Sequence, residues 1–519
     1  MYKTVKKMLA IGAVFCALLM FSSCSEEDLG VQALDPAAIR ALDAKIDLAL
    51  IKEQGKAKLR ITESFVMPAD IIYIRLPNTF LRKDKLYARI EQLQIEDPAE
   101  VIDHKKYPFI RVVSYKKGQR LTLSYVLRPD DPINYGADKE SPSAPIIRDN
   151  YFQFIGMMAL IFPVGIEKSE VEFNLSLSWH MPNDFRLFNS YGEALGPQRV
   201  SSNYDKLRDS LFIGGNNLRV YTADVRGRPV TITMEGQFKK ITDADFSSVV
   251  TRLLDEQRET WRDDDFPYFL IHFLARTSPC NGGTLLGTAH PNSFRAVFPD
   301  ECDFQPAMKQ LISHELMHMW IGKKIKVGQA EGHYDGKWFT EGWTDYFGRI
   351  LAYRAGVLTE DEYFLTLNRQ LERYYLTDEK HTTLRELVNR IYRRNKSNKE
   401  LEAVPYQQGE IMAIRLNKTI KEDTSFKNSL DDVVRAMLKE AADAGGVKNF
   451  TVEEIARNVD VYAPHALQKE MEKVEQGGVF VAPSLPQCRT PFKVVNPKNV
   501  SRELLLYGGS MHACDAWLK

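Results

Sequence analysis

The chain has 519 residues, which is enough for two or three domains, each with its own hydrophobic core. Its 69 lysine and arginine residues balance its 69 aspartate and glutamate residues. Because proteins that bind nucleic acids usually carry a basic excess, this composition gives no reason to expect a nucleic-acid partner.

The first 23 residues have the pattern of an export signal. Three lysines precede an apolar stretch from Met8 to Phe21, which is too short to span a bilayer. Two serines then lead into Cys24, an arrangement that resembles a bacterial lipoprotein signal in which Cys24 is acylated. We therefore expect an outer-membrane lipoprotein that is anchored through Cys24, faces the periplasm or the cell surface, and has a linker over residues 24–44. An ordinary secretory signal with a chance cysteine is the alternative.

Four cysteines remain once Cys16, in the signal, and Cys24 are set aside: Cys280, Cys302, Cys488 and Cys514. An even number of cysteines in an oxidising compartment predicts two disulfides. Proximity in the sequence favours pairing each cysteine with its nearest neighbour, but other pairings remain open.

Residues 45–236 have the period of two that is typical of half-buried strands. Apolar residues alternate with polar ones at Ile46, Leu48 and Leu50, at Leu121, Leu123, Tyr125 and Leu127, at Phe173, Leu175, Leu177 and Trp179, and at Val230, Ile232 and Met234. Several such strands separated by turns predict an antiparallel β-sandwich-like domain. The apolar segment from Tyr151 to Ile166 is interrupted by Pro163, and we expect a buried strand pair there.

The second half of the chain is predominantly helical in pattern. A helical period covers Phe246 to Trp261, short strands follow, and helices dominate after Gln305. Capping-box patterns begin at Thr359 and Thr451, and a close variant begins at Ser429. The chain is thus expected to be an α+β multidomain protein, with a catalytic domain over 237–360, a helical domain over 361–475 and a C-terminal tail over 476–519.

A candidate metal site lies in the segment from His314 to His318. Two histidines four residues apart on a helix project from one face and can share one zinc ion. Glu315, beside the first histidine, is placed to accept a proton from a water molecule. A helix is expected because apolar residues follow helical spacing at Met308, Leu311, Ile312, Leu316 and Met319. The alternative is a surface helix with two unrelated histidines.

The third ligand distinguishes the classes of zinc enzyme. A metzincin would carry glycine at 321 and histidine at 324, but this chain has Ile321 and Lys324. Glu341, at the start of a second helix that runs to about residue 356, can complete a site of two histidines and one glutamate. Asp345, one turn later, can accept the ring N–H of His314. Alternatively, both acids are ordinary carboxylates at a helix N-terminus.

The segment from about 284 to 435 resembles the glycyl aminopeptidase family of gluzincins, relatives of the alanyl aminopeptidases and leukotriene hydrolases. The resemblance lies in 313–320, in 338–346 with its continuation to Thr359, and in 405–409 with the helix start at Ser429. It implies a thermolysin-like catalytic domain, a helical region after it, zinc as cofactor and a peptide or protein as substrate. It also implies that Tyr406 donates a hydrogen bond to the developing oxyanion.

The resemblance breaks down at a predicted substrate-binding strand. Relatives carry a glutamate there that binds the free α-amine of the substrate, whereas this chain has Ala289, between Gly287 and His290. A methyl group cannot pair with an ammonium ion. Either a nearby acid, Asp300 or Glu301, replaces the glutamate or the enzyme cleaves without recognising the N-terminus.

The sequence therefore predicts a zinc-dependent metallopeptidase that is lipid-anchored outside the cytoplasm, and it leaves aminopeptidase and endopeptidase activity both open. The alternative is a surface lipoprotein that binds its partner without catalysis on a retained peptidase fold.

Overall fold

The computed structural model describes residues 15–16, 33–81, 83–96, 99–129, 143–167, 170–266, 269–280, 285–328, 336–390, 398–483 and 515–518. Apart from Phe15–Cys16, the predicted signal peptide lies outside the described residues, and so do Cys24 and the predicted pair Cys488 and Cys514. The lipid anchor and that disulfide therefore stay predictions.

The chain divides into two compact units. The first unit comprises Met1–Asp224, Arg228–Lys240 and Phe266–Cys302, and the second comprises Val225–Gly227, Ile241–Asp265 and Asp303–Lys519. Each unit is thus assembled from separate stretches of the chain. The domain boundaries predicted from the sequence, at 236, 360 and 475, stay predictions.

Three sheets form the predicted sandwich-like part of the first unit. The first has six strands in the order Gln198–Ser202, Phe173–His180, Ala44–Glu53, Lys56–Val66, Arg120–Leu127 and Ile90–Ile95. The second has four strands in the order Phe162–Pro163, Ile71–Arg75, Ile110–Ser114 and Glu100–Asp103. The third has five strands in the order Gly192–Glu193, Arg186–Asn189, Leu211–Gly215, Tyr151–Ile155 and Ile146–Arg148. Burial alternates along Lys56–Val66, where Leu59 and Ile61 are fully buried. The period of two therefore marks real core strands.

A fourth sheet of the first unit mixes parallel and antiparallel pairs. Its order is Phe15–Cys16, Leu286–His290, Ser293–Pro299, Phe269–Arg276, Arg228–Glu235 and Arg219–Val225. Arg228–Glu235, which the sequence pattern groups with the sandwich, pairs in parallel with Phe269–Arg276. The alternation of apolar and polar residues does not show whether a strand pairs with a parallel or an antiparallel partner, and parallel partners are joined by a long crossover. The prediction that this strand belongs to the antiparallel sandwich is therefore wrong.

Helices make up most of the described second unit. They are Asp243–Trp261, Pro306–Met317, a π-helical turn Trp338–Trp343 continued by Thr344–Arg354, Glu360–Leu376, Leu384–Val388, Lys399–Asp423, Leu430–Asp443, Val452–Asp460, Ala466–Glu475 and Asp515–Leu518, with a 3-10 turn at Asp378–His381. The strands Ile325–Val327 and Lys448–Phe450 pair in parallel. The first unit adds Pro36–Arg40, Gly156–Ala159, Tyr204–Asp209 and a 3-10 turn at Leu86–Arg89.

Local end signals explain where several helices begin. Complete capping boxes form at Thr359, Ser429 and Thr451, which confirms the sequence pattern, and a further one forms at Thr242. Gly356 follows the helix Thr344–Arg354 with a φ of 63°, a left-handed conformation that favours glycine.

The apolar segment 151–166 is buried, as expected, but its strands do not pair with each other. Tyr151–Ile155 pairs with Leu211–Gly215, and Phe162–Pro163 pairs with Ile71–Arg75. Across the described residues, every helix is too short or too polar to cross a membrane. The predicted α+β fold class is confirmed.

Candidate metal centre

The two predicted histidine ligands come from Pro306–Met317, which we call the histidine helix. It begins with a proline at its first position, where the missing N–H is not needed. His314 and Glu315 are both 1% exposed, so the motif faces the interior of the second unit. His318 is the C-terminal cap with φ −61° and ψ −13°, and it therefore still follows His314 by about one helical turn.

Glu341 lies in the π-helical turn Trp338–Trp343, which leads directly into Thr344–Arg354; we call this pair the acid helix. A regular helix was expected here, and the wider turn is a difference from that expectation. Buried Trp338, Phe339 and Trp343 pack against one another, with ring centroids 4.6 to 6.1 Å apart. Such π turns often occur at functional sites, but no local sequence rule locates them.

The structure brings His314, His318 and Glu341 together. One ligand atom from each lies within 4.8 Å of the others. Oε2 of Glu341 is 3.5 Å from Nε2 of His314 and 3.6 Å from Nε2 of His318. Ligand atoms about 2.05 Å from a tetrahedral zinc ion would be about 3.4 Å apart, so this spacing fits zinc.

Two of these ligand atoms lack a hydrogen bond. Among the described residues, Nε2 of His314 and Oε2 of Glu341 are buried and form none. Buried polar atoms are normally satisfied, and an unsatisfied group needs an explanation. A cation between the three side chains would satisfy both atoms.

The other ring nitrogen of each histidine has a partner. Nδ1 of His314 lies 2.8 Å from Oδ1 of Asp345, and Nδ1 of His318 lies 3.1 Å from the carbonyl oxygen of Ile321. Both acceptors favour the tautomer with hydrogen on Nδ1, which leaves Nε2 free for a metal. Gln370 donates to the other oxygen of Asp345 at 3.3 Å. Sequence reasoning missed Gln370, because it comes from a different helix and belongs to no motif.

Electrostatics distinguish the two histidines. Burial alone would lower the pKa of His314, but the carboxylates of Asp345 and Glu341 raise it to about 10. Burial lowers the pKa of His318 to about 4. Burial would raise the pKa of Glu341, but the neighbouring histidines, with help from Lys337, lower it. A metal ion therefore competes with a proton mainly at His314.

Tyr406 lies on Lys399–Asp423, which we call the tyrosine helix, and its side chain is partly buried. This helix touches the acid helix through two glycines. A Cβ at Gly409 would lie 1.8 Å from the carbonyl oxygen of Trp338, and a Cβ at Gly342 would lie 2.5 Å from Cα of Gly409. The glycine three residues after Tyr406 is therefore explained: it lets the tyrosine helix approach the turn that carries Glu341.

The part of the chain that carries the proposed site is similar to a known protein family. Residues 307–412, which include His314, His318, Glu341 and Tyr406, match the model of the M61 glycyl aminopeptidase family. This segment is similar to the domain of M61 glycyl aminopeptidases. The resemblance inferred from the sequence is thus confirmed. No curated protein matches the chain.

Solved structures of similar fold cover most of this chain. An aminopeptidase N family protein from Idiomarina loihiensis has a TM-score of 0.67 at 16% identity, and the match covers 85% of this chain and 76% of that one. A substituted two-domain M1 zinc metallopeptidase bound to L-tryptophan has a TM-score of 0.50 at 13% identity, covering 86% of this chain and 97% of that one. The family match and the fold together support a peptidase of the metallopeptidase type.

The strand in which the glycyl aminopeptidase resemblance breaks down belongs to the first unit. Leu286–His290 and Ser293–Pro299 form an antiparallel hairpin, which we call the Ala289 hairpin. The ring of His290 is 3% exposed, and its nitrogens lie 2.8 Å from Oγ1 of Thr288 and 2.8 Å from the carbonyl oxygen of Asp209. Both ring nitrogens of His290 therefore have partners within the first unit. Gly287, Ala289 and His290 stay predicted substrate-binding positions.

Neither Asp300 nor Glu301 can take the place of an acid at 289. Ala289 pairs with Phe294, and Asp300 lies six residues further along the chain, which is about 20 Å in an extended strand. Oδ2 of Asp300 accepts from Thr277 at 3.2 Å, and Glu301 pairs with Lys239 at 2.6 Å. The suggested replacement is wrong because both acids lie at the opposite end of the hairpin.

A disulfide closes the base of this hairpin. It joins Cys280 to Cys302, with Cα atoms 5.3 Å apart. This is the pairing that proximity in the sequence favours.

Proposed function

We propose that the second unit is the catalytic part of a zinc-dependent peptidase, with zinc held by His314, His318 and Glu341. The observation that carries the proposal is the convergence of three buried ligand atoms, two of which have no hydrogen bond within the described part of the chain. Two imidazoles and one carboxylate are the ligands of catalytic zinc sites that keep a position open.

The proposed reaction divides between the metal and the protein. When bound, zinc would supply a Lewis acid that lowers the pKa of water and polarises the scissile carbonyl. Glu315, buried beside His314, accepts the proton of the attacking water and passes it to the leaving amine. The phenol of Tyr406 donates a hydrogen bond to the oxygen on which charge develops. Asp345 holds the ring of His314 in the tautomer that exposes Nε2.

We further propose that cleavage does not require a free substrate N-terminus, as in an endopeptidase. Ala289 offers no charge, and the register of its hairpin removes both nearby acids as substitutes. Extended peptides could still pair with the main chain of Leu286–His290.

We also propose that the protein works outside the cytoplasm, at the outer membrane, with lipid on Cys24. The Cys280–Cys302 disulfide supports this location, because such bonds persist in oxidising compartments.

Metal content and cleavage of defined peptides test the proposal together. The purified protein should contain about one zinc ion per chain, and it should cleave casein until a chelator is added. Peptides with acetylated N-termini should be cut as fast as free ones. Zinc without any cleavage would favour the binding lipoprotein, and cleavage of free peptides alone would restore an aminopeptidase.

A further inference from the structure

A buried ion pair joins the acid helix to the tyrosine helix. Nε of Arg349 donates to Oε1 of Glu410 at 2.8 Å, and the two side chains are 2% and 1% exposed. Nη1 of Arg349 donates to Oε1 of Gln310 at 2.9 Å. Gln310 belongs to the histidine helix, so one guanidinium links all three helices that carry the metal centre.

Each member of this group lies one helical turn from a residue of the proposed site. Gln310 precedes His314 by four residues, Arg349 follows Asp345 by four, and Glu410 follows Tyr406 by four. Residues four apart on a helix share one face. The group therefore fixes the rotation of each helix on the face from which the functional side chain projects.

Stability alone does not explain this arrangement. Replacing a buried ion pair with apolar side chains of similar volume is often neutral or stabilising, because the pair must be stripped of water. Glu410 also has an unsatisfied atom: among the described residues, its buried Oε2 forms no hydrogen bond. What the pair supplies is a defined geometry between helices, since its hydrogen bonds form only at one relative rotation.

We propose that Arg349, Glu410 and Gln310 act as positioning residues that hold Tyr406 at the correct place and rotation relative to the zinc ligands. The inference rests on the proposed function and goes beyond it, because all three side chains are buried and none has a role in the proposed reaction. The contact between Gly409 and Trp338 sets how closely the tyrosine helix approaches, and the Arg349–Glu410 pair sets its rotation.

The test removes both charges together, as Arg349→Met with Glu410→Leu. This double variant avoids leaving one charge buried alone and should keep its folding and its zinc. We expect kcat to fall by about tenfold to a hundredfold with little change in KM, because a misplaced donor weakens the transition state. In a Tyr406→Phe background the same change should cost only about twofold, because coupled residues are not additive.

A matched control lies on the same helix. Nη1 of Arg354 donates to Oδ2 of Asp431 at 2.6 Å, with side chains 9% and 8% exposed, but this pair joins the acid helix to Leu430–Asp443. Arg354→Met with Asp431→Leu should therefore change kcat by less than about twofold, with additive effects in the Tyr406→Phe background.

The outcomes separate the two proposals. Wild-type kcat in the Arg349→Met, Glu410→Leu variant, an equal loss in the Tyr406→Phe background, or a loss that follows missing zinc would each overturn the positioning role. If the double variant does not fold, Glu410→Gln, alone and with Tyr406→Phe, decides by the same criteria. Wild-type protein that holds zinc but cleaves nothing refutes the proposed function and the positioning role with it.

Discussion

The metal centre and the Ala289 hairpin differ in what each shares with the glycyl aminopeptidases. The proposed metal centre has His314, His318, Glu341, the neighbouring Glu315 and the Tyr406 segment. The hairpin has the strand and its glycine but lacks the acid that would bind an amine. Since different segments carry the residues proposed for each property, we expect bond cleavage and recognition of a substrate end to change independently.

The largest effect is expected from a substitution in the proposed metal centre alone. Glu315→Gln should lower kcat by about 10³-fold, because the amide cannot accept the proton, and should leave the zinc content unchanged. Peptide hydrolysis and metal analysis of the same sample check this result. Glu259→Gln, at a surface position paired with Arg226, should retain full activity. Wild-type turnover without Glu315 would remove the base from the mechanism.

Removing the Cys280–Cys302 disulfide tests the part of the first unit that contains the Ala289 hairpin. Joint Cys280→Ser and Cys302→Ser substitutions open a loop of 22 residues and should lower the free energy of unfolding by about 3 kcal/mol. Urea unfolding, followed by a probe in the first unit, measures the change. Zinc content should stay at the wild-type level, because the ligands lie in the second unit. Loss of zinc in the folded variant would contradict the separation of the two properties.

A smaller effect is expected where the tyrosine helix meets the acid helix. Gly409→Ala places a methyl group against the backbone of Trp338 and should cost about 2 kcal/mol of stability while also lowering kcat. Gly196→Ala, where no described residue lies within 4 Å of the new methyl group, is the matched control. Thermal unfolding and peptide hydrolysis compare the two variants. Equal behaviour would mean that the close contact has no role.

The features that could be predicted from the sequence are those that depend on residues close together in the chain. Alternation identified strands such as Arg120–Leu127, and capping boxes at Thr359 and Thr451 located helix starts. The four-residue spacing of the histidines indicated one metal, and the structure brings Glu341 to them from 27 residues beyond His314.

The features that sequence missed depend on contacts between distant segments. Gln370 reaches Asp345 from another helix, and Arg349 reaches Glu410 across 61 residues. The parallel pairing of Arg228–Glu235 and the π turn around Glu341 are likewise decided by packing, which overrides local propensity.

The smallest effect is expected from placing an acid in the hairpin at position 289. Ala289→Glu gives the strand a carboxylate that can pair with an ammonium ion, and such a charge-assisted hydrogen bond contributes about 1.5 kcal/mol or more. We therefore expect the ratio of kcat/KM for free over acetylated peptides to rise about tenfold. Ala289→Gln has nearly the same size without the charge and should leave the ratio near one. If both variants behaved alike, position 289 would not face the substrate N-terminus, and the missing acid would no longer explain the specificity. A rise with glutamate alone would show that one side chain on the hairpin sets end recognition while the metal centre supplies the cleavage.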